Sequence, residues 1–128
     1  MQIENTFLKV SNLSKSYKAD APPVFEGIDF EIEKGEFVCI IGHSGCGKTT
    51  ILNVLAGLEE ATGGDAIMLG KRIQGPGLER GVVFQGHALM PWMTVLQNVA
   101  FAVKSRYPDW SKQQISDHSK KYLAMVGL

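Results

Sequence analysis

The stretch that decides the fold of this 128-residue chain is Gly42-His43-Ser44-Gly45-Cys46-Gly47-Lys48-Thr49. It fits the pattern G-x-x-x-x-G-K-[ST], which is typical of a loop that wraps around phosphate groups. Glycines let the backbone approach closely and point successive N–H groups at phosphate oxygens. A helix beginning at residues 48–49 would add the partial positive charge of its N-terminus at the same place. The stretch therefore predicts a phosphate-binding loop.

The side chains that end the loop have separate predicted roles. Lys48 supplies a mobile positive charge for the β- and γ-phosphates. The hydroxyl of Thr49 is suited to bind Mg²⁺, and Thr50 is expected to cap the helix or to contact phosphate beside it. The alternative, a glycine-rich turn with a solvated lysine, is disfavoured because the sequence on both sides also fits. The predicted nucleotide-binding residues of the loop are Gly42, His43, Ser44, Gly45, Cys46, Gly47, Lys48, Thr49 and Thr50.

The segments that flank the loop change their apolar pattern at Gly42. Residues 37–41 are apolar without alternation, which predicts a strand covered on both faces. After the loop, apolar residues recur with helical spacing and predict a helix of ~8–10 residues that ends near Gly57. The residues that carry this helical pattern are Ile51, Leu52, Val54 and Leu55.

Other strands are predicted on both sides of this core. Residues 7–13 predict a first strand of mixed pattern. Residues 24–32 alternate from Ile28 onward, with Ile28, Phe30 and Ile32 on one face and acidic residues on the other. This alternation indicates a strand with one face in water, usually in an antiparallel sheet. Residues 66–69 and 81–84 are short strand candidates flanked by glycines.

Two helices are predicted in the second half, each from a capping-box spacing. Thr94-Val95-Leu96-Gln97 opens a helix that continues to about Lys104, and Ser111-Lys112-Gln113-Gln114 opens another. The second helix is expected to place Ile115, Tyr122 and Val126 on its apolar face and to end at Gly127.

Composition excludes several classes of protein. Hydrophobic residues make up 45% of the chain, as in globular domains, and 13 Lys+Arg balance 13 Asp+Glu. A chain without a basic excess has no electrostatic attraction to nucleic acid, so nucleic acid is not an expected partner. The longest apolar run, residues 37–41, is far shorter than the ~20 residues that cross a bilayer.

Cysteines and histidines give no sign of a structural framework or a metal centre. The two cysteines, Cys39 and Cys46, do not form a disulfide pattern and favour a reducing, cytosolic location. His43, His87 and His118 are widely separated without metal-ligand spacing, so they are expected at the surface or in loops.

Three ordered stretches resemble the ATP-binding subunit of ABC transporters. The first is residues 13–17 followed by 24–35, the second is residues 37–58 with the Walker A loop, and the third is residues 81–95, which resembles the Q-loop. The region around Pro91-Trp92 is most similar to importers of nitrate, sulfonate and taurine, and His87-Ala88-Leu89 favours the nitrate branch.

The resemblance implies an α/β, P-loop NTPase fold of the ABC nucleotide-binding type. Residues 1–36 would form an N-terminal antiparallel β-subdomain, residues 37–85 the P-loop core up to the Q-loop glutamine, and residues 86–128 the start of a helical subdomain. It also implies ATP and Mg²⁺ as cofactors. The implied partners are a membrane permease, a second ATP-binding subunit and, indirectly, a substrate-binding protein. The implied location is peripheral, on the cytoplasmic face of the cell membrane.

By position, the resemblance gives Lys48 and Gln85 catalytic roles. Gln85 would contact Mg²⁺, together with Thr49, and the attacking water; the alternative is an ordinary loop glutamine. Tyr17 would stack on adenine, since base stacking contributes ~1–3 kcal/mol whatever the base; the alternative is that it only closes a strand edge.

Cys46 and Trp92 each have two possible roles. Cys46 lies in the loop, so an alkylator is expected to block nucleotide binding and ATP to protect the thiol; the alternative is a small space-filling residue. Trp92 would face the coupling helix of the permease, or would instead pack against the helices of its own chain.

Two elements of the resembled family do not occur in this sequence. No Asp follows a run of four apolar residues, as a Walker B motif requires, and no L-S-G-G-Q signature is present. The chain is therefore expected to be truncated before both motifs. It would belong to an ATP hydrolase but be inactive alone, with uncovered core surface and poor solubility.

Two other hypotheses about the function of the chain remain open. One is a non-catalytic ATP-binding fragment or module, and the other is an unrelated P-loop NTPase such as a kinase or motor. The 41 residues before Gly42 and the absence of an N-K-x-D motif argue against small-molecule kinases and small GTPases.

Overall fold

The computed structural model describes residues 5–128, which form two compact units. The first unit ends at Val82 and the second begins at Val83. The glycine-rich loop and its neighbours lie in the first unit, and the two capped helices lie in the second.

The described part of the first unit contains a four-stranded antiparallel sheet. Its strands are β1 (Thr6–Lys15), β2 (Phe25–Glu33), β3 (Gly63–Met68) and β4 (Lys71–Arg72), in the order β2-β1-β3-β4. β1 is central: Val10 pairs with Phe30 on one side and with Ala66 on the other. The predictions of antiparallel strands at 7–13 and 24–32, and of a strand near 66–69, are confirmed.

A bulge at Asn12 explains the mixed apolar pattern of β1. Leu8 and Val10 are buried at even positions, whereas Leu13 is buried at an odd one. The pairing register shifts between Val10 and Leu13, and Asn12 has a left-handed φ of 47°. A one-residue shift turns the following side chains to the other face, so all three leucine and valine side chains reach the same core. The side chain of Asp29 holds the bulge, because its Oδ1 accepts the Asn12 N–H at 2.7 Å.

The helix α1 (Lys48–Ala56) covers the apolar face of this sheet. Its buried residues Ile51 and Val54 join the β1 side chains in one hydrophobic cluster. The helix ends at Gly57, whose φ of 80° is left-handed, and the N–H groups of Gly57 and Leu58 donate to the carbonyls of Val54 and Asn53. These two bonds satisfy carbonyls that a helix end leaves unpaired. The predicted helix and its end at Gly57 are confirmed.

The predicted strands at residues 37–41 and 81–84 are wrong. Neither segment is a strand, and their side chains are exposed rather than covered: Phe37 is 91% exposed, Ile41 93% and Val83 100%. The physical reason is that a strand exists only with a hydrogen-bonded neighbour, and no strand among residues 5–128 pairs with either segment. Their apolar composition favours a buried strand, but a strand forms only where a partner strand is present.

The second unit is built on two capped helices, α2 (Val95–Arg106) and α3 (Lys112–Met125). Both capping boxes predicted from the sequence are present. At α2, Thr94 Oγ1 accepts the Gln97 N–H at 3.1 Å, and Gln97 Oε1 accepts the Thr94 N–H at 2.8 Å. Ser111 and Gln114 make the same pair of bonds at α3.

The buried face of α3 differs from the predicted one. Ile115 is buried as expected, but Tyr122 is 48% exposed and Val126 73%. Ser119 is buried instead, since its hydroxyl donates to the Ile115 carbonyl at 2.7 Å and so needs no partner outside the helix. Gly127 ends α3 as predicted, with a φ of 84°.

An aromatic cluster joins α3 to the segment that precedes it. The Tyr107 and Trp110 rings stack with centroids 4.0 Å apart, and the His118 ring meets both at its edge. Tyr122 approaches His118 at 4.8 Å. These contacts explain why Tyr122 stays near the surface, because offset and edge-to-face aromatic pairs are themselves stabilising.

Candidate nucleotide-binding site

The glycine-rich loop lies between the exposed segment 37–41 and the start of α1. Gly45 and Gly47 have left-handed φ values of 82° and 96°. A Cβ at Gly47 would lie 2.9 Å from Val24 Cγ1 and 3.2 Å from its carbonyl oxygen. Glycine is therefore required at position 47 for two reasons: its left-handed backbone conformation, and the close approach of the loop to the residue before β2.

The Lys48 ammonium lies inside the loop. Its Nζ donates to the carbonyl oxygens of Gly42 and His43, both at 2.7 Å, and lies 3.7 Å from Cys46 Sγ. The first turn of α1 contains no acidic residue, so the positive end of the helix dipole is not neutralised there. The loop therefore combines a cation with the end of a helix dipole that favours anions.

The two threonines of the first turn differ in exposure. Thr49 is exposed beside Lys48, whereas Thr50 is half-buried and approaches the Tyr17 hydroxyl. A hydroxyl oxygen is a ligand that Mg²⁺ accepts, so exposed Thr49 fits the predicted role as one of its ligands. Among residues 5–128, no three His, Cys, Asp or Glu side chains lie close enough to hold a metal ion alone.

Tyr17 follows β1 and lies at the same end of the unit as the first turn of α1. Its ring is 60% exposed, and its hydroxyl donates to both carboxylate oxygens of Glu59, at 2.8 and 3.0 Å. The hydrogen bond to Glu59 raises the pKa of Tyr17 above its ordinary value, and the Thr50 side chain acts in the opposite direction. Tyr17 is thus near the loop, as an aromatic that contacts a bound base would have to be.

Gln85 belongs to the second unit. It lies in an exposed bend, and the buried strand expected directly before it is absent. Gln85 therefore does not follow a strand, because residues 81–84 have no strand partner in the described chain. Its role toward Mg²⁺ and water stays a prediction.

Trp92 is 75% exposed and lines an apolar groove between α2 and α3. The groove has a volume of about 580 Å³ and is lined by Trp92, Met93, Leu96, Ala100, Phe101 and Ile115 among others. An indole that packs fully against the helices of its own chain would be mostly buried. The exposure of Trp92 therefore favours the other interpretation, in which it faces a partner protein.

Two residues that fix the chain around α1 were not predicted: Glu59 beside Tyr17 and Arg80 beside the last turn of the helix. Glu59 is 42 residues from Tyr17 in sequence, and the Arg80 guanidinium donates to the carbonyls of Leu55 at 2.9 Å and Gly75 at 2.6 Å. Arg80 fastens the 75–80 loop to the last turn of α1 and is favourable beside a helix C-terminus. No local pattern marks either residue, since the Tyr17–Glu59 and Leu55–Arg80 contacts join residues 42 and 25 apart in sequence.

The described residues contain no helix with the length and apolar character needed to span a bilayer. A family model described as ABC transporter matches residues 25–128, so the chain belongs to the ABC transporter family. The fold, with its antiparallel sheet beside a P-loop and helix, is that of an ABC ATPase cassette. The resemblance stated from the sequence is confirmed.

Curated relatives agree with this assignment. The chain is 44% identical over 124 residues to a bicarbonate transport ATP-binding protein, CmpD, of Synechococcus elongatus. It is 38% identical over 131 residues to the nitrate import ATP-binding protein NrtD of the same species. These matches cover 95% and 98% of this chain but only 45% and 47% of the relatives. The chain spans less than half the length of these curated relatives.

A solved structure gives the same fold. The dimeric ATP-binding cassette MJ0796, bound to ADP and Pi after hydrolysis, matches with a TM-score of 0.80 at 28% identity. The match covers 94% of this chain and 57% of MJ0796.

Proposed function

We propose that this chain binds Mg-ATP as part of the ATPase subunit of an ABC importer. The observation that carries the proposal is the position of Tyr17 in the first unit. It lies beside the first turn of α1, where Lys48 and the glycine-rich loop also lie. The loop and the first turn of α1 would then hold the triphosphate, and the adjacent Tyr17 ring would hold the base.

The proposed roles follow from the chemistry of each group. Backbone N–H groups of residues 42–49 and the Lys48 ammonium bind the phosphates, and the Tyr17 ring stacks on adenine. Thr49 would hold Mg²⁺, which neutralises charge on the β- and γ-phosphates when bound. Gln85 is proposed as a further contact for Mg²⁺ and water, on the resemblance of residues 81–95 to the Q-loop.

Calorimetric titration of the 128-residue chain with Mg-ATP tests this function. We expect saturable binding by the wild type and binding about 10- to 100-fold weaker for Lys48→Ala, since a charge-assisted hydrogen bond contributes about 1.5–3 kcal/mol. Lys34→Ala, at an exposed turn, is the control and should bind like the wild type. Equal heats from wild type and Lys48→Ala would refute the loop as the binding site.

Hydrolysis is proposed for the subunit as a whole, together with a second ATP-binding subunit. Residues 1–128 provide the phosphate-binding loop, Lys48 and Gln85 but no carboxylate after an apolar run to activate water. MJ0796 is dimeric in its solved structure, which supports a paired arrangement for this subunit too. By itself the chain would bind ATP without turnover.

The proposed partner is a membrane permease, with the subunit peripheral on the cytoplasmic face of the membrane. The exposed Trp92 and the apolar groove of the second unit support a docking role for this region. Trp92→Ala should reduce co-purification with a permease subunit that is co-expressed with the protein. Leu78→Ala, which removes another exposed apolar side chain in the first unit, should not.

The proposed cargo is a small oxyanion. Nitrate was expected from residues 87–89, and the relatives include both bicarbonate and nitrate proteins, which supports bicarbonate beside nitrate. Sulfonates such as taurine stay a further candidate from the sequence. Deletion of the gene, followed by uptake measurements for nitrate, bicarbonate and taurine, decides among them. Unchanged uptake of all three would refute this cargo class.

A further inference from the structure

The chain just beyond α1 is fastened to the chain that carries Tyr17. Residues 59–62 form this brace. The Thr62 N–H donates to the Ser14 carbonyl at 2.8 Å. The Thr62 hydroxyl accepts the Ser16 N–H at 2.9 Å and donates to the Ser16 carbonyl at 3.1 Å. Three hydrogen bonds therefore fix the backbone on which Tyr17 stands.

Glu59 continues the brace to the ring itself. Its two carboxylate oxygens accept the Tyr17 hydroxyl at 2.8 and 3.0 Å. Its own N–H donates to the Asn53 carbonyl at 3.3 Å, so the end of α1 sets where the carboxylate lies. The tyrosine is thus held at its polar end by a residue that follows α1, the helix whose first turn carries Lys48 and Thr50.

Lys15 occupies one side of the ring. Its ammonium lies 5.1 Å from the ring centroid of Tyr17 and donates to the Glu60 carbonyl at 2.6 Å. With a cation over one face, the opposite face is the one on which a flat ligand would stack. Both its polar end and one face are therefore fixed before any ligand arrives.

An exposed tyrosine ordinarily loses rotamer freedom when a base stacks on it, and that loss weakens binding. A ring already held in one orientation loses less. We propose that Glu59 is a positioning residue, which holds Tyr17 through its hydroxyl in the orientation that receives the purine base. This inference rests on the proposed function, in which Tyr17 stacks on adenine.

The experiment measures Kd for Mg-ATP and for Mg-tripolyphosphate, which lacks a base, on folded full-chain variants. Glu59→Ala and Tyr17→Phe should each raise the Kd for Mg-ATP about threefold to tenfold, the size expected for one exposed hydrogen bond. The double variant should be no weaker than either single variant, because both remove the same bond. The Kd for Mg-tripolyphosphate should not change in any of them.

Two matched variants separate positioning from charge and from folding. Glu59→Gln keeps an oxygen that accepts the hydroxyl and should restore most of the ATP affinity. Glu60→Ala removes the same charge one residue away while keeping the carbonyl that binds Lys15, and should bind ATP like the wild type.

The outcomes are distinguishable. If Tyr17→Ala weakens ATP binding but Glu59→Ala does not, the inference is overturned and the proposed function stands. If Glu59→Ala weakens tripolyphosphate binding equally, Glu59 acts on the loop rather than on the ring, and the inference is again overturned. If the wild type binds neither ligand, the proposed function itself fails.

Discussion

The ammonium of Lys48 donates a 2.7 Å hydrogen bond to the carbonyl oxygen of Gly42, so the last part of the loop is tied to its first residue. The cation that would bind phosphate is thus already satisfied by backbone carbonyls. A bound phosphate has to replace or share these hydrogen bonds. Without phosphate, they hold the loop in a closed, ring-like form.

Gly47→Ala should destabilise the first unit. Alanine at a φ of 96° is strained, and its Cβ would lie 2.9 Å from Val24 Cγ1. We expect a loss of about 1–3 kcal/mol in the free energy of unfolding, measured by chemical denaturation. Gly81→Ala, where a Cβ meets nothing within 4 Å, is the control and should change little. Equal losses in both variants would contradict the steric argument.

Alkylation of Cys46 should block Mg-ATP binding, and Mg-ATP should protect the thiol. Cys46 is exposed, and its Sγ lies 3.7 Å from Lys48 Nζ, so a bulky adduct would occupy the phosphate position. The measurement is alkylation of each cysteine by peptide mass spectrometry, with and without Mg-ATP. Cys39, also exposed, is an internal control and should label equally in both samples. Equal labelling of Cys46 with and without nucleotide rejects the prediction.

The purified 128-residue chain should release no phosphate from ATP above the rate of Lys48→Ala. The resembled family activates water with a carboxylate after an apolar run, and residues 42–50 contain no Asp or Glu. Phosphate release under saturating Mg-ATP is the measurement. Robust turnover that depends on Lys48 would show that this chain completes a catalytic site by itself.

Thr94→Ala should destabilise α2 by about 1 kcal/mol, because its hydroxyl caps the helix through the Gln97 N–H. Thr94→Ser keeps the capping oxygen and should retain most of that stability. Thermal melting followed by circular dichroism compares the two. A loss of the same size in both variants would mean that the methyl group, not the cap, stabilises this end.

The Tyr17 hydroxyl should make stability fall at alkaline pH. Its pKa is raised above 10.0 in the folded chain, chiefly by the hydrogen bond to Glu59. A raised pKa stabilises the fold below the unfolded value, and that contribution is lost as pH rises through the folded value. The difference in free energy of unfolding between wild type and Tyr17→Phe should therefore be constant at neutral pH and shrink above pH 10.0. A difference that stays constant through this range would contradict the bond.

The helices could be predicted from the sequence because their signals are local. Gly57, Thr94 and Ser111 each mark an end within a few residues of the bonds they make. The strands could be predicted only where a partner lies in the described chain. Residues 37–41 show this limit, since their apolar pattern says nothing about whether a neighbouring strand is present.

The residues of the candidate site also differ in whether the sequence could predict them. The loop pattern identified Lys48, because its bonds to Gly42 and His43 span six residues or fewer. The contact of Tyr17 with Glu59 joins residues 42 apart and follows from how α1 ends and turns back toward β1. Likewise, the bulge at Asn12 depends on Asp29, so the pattern of β1 alone could not show that Leu13 is buried.

The exposed apolar side chains of Phe37, Ile41 and Val83 have a consequence for proteolysis of the purified 128-residue chain. Proteases cut exposed, extended chain before they cut paired strands, because a peptide bond must be accessible to be cleaved. Limited digestion should make its first cuts within residues 34–44 and near Val83, well before it reaches the sheet around Val10.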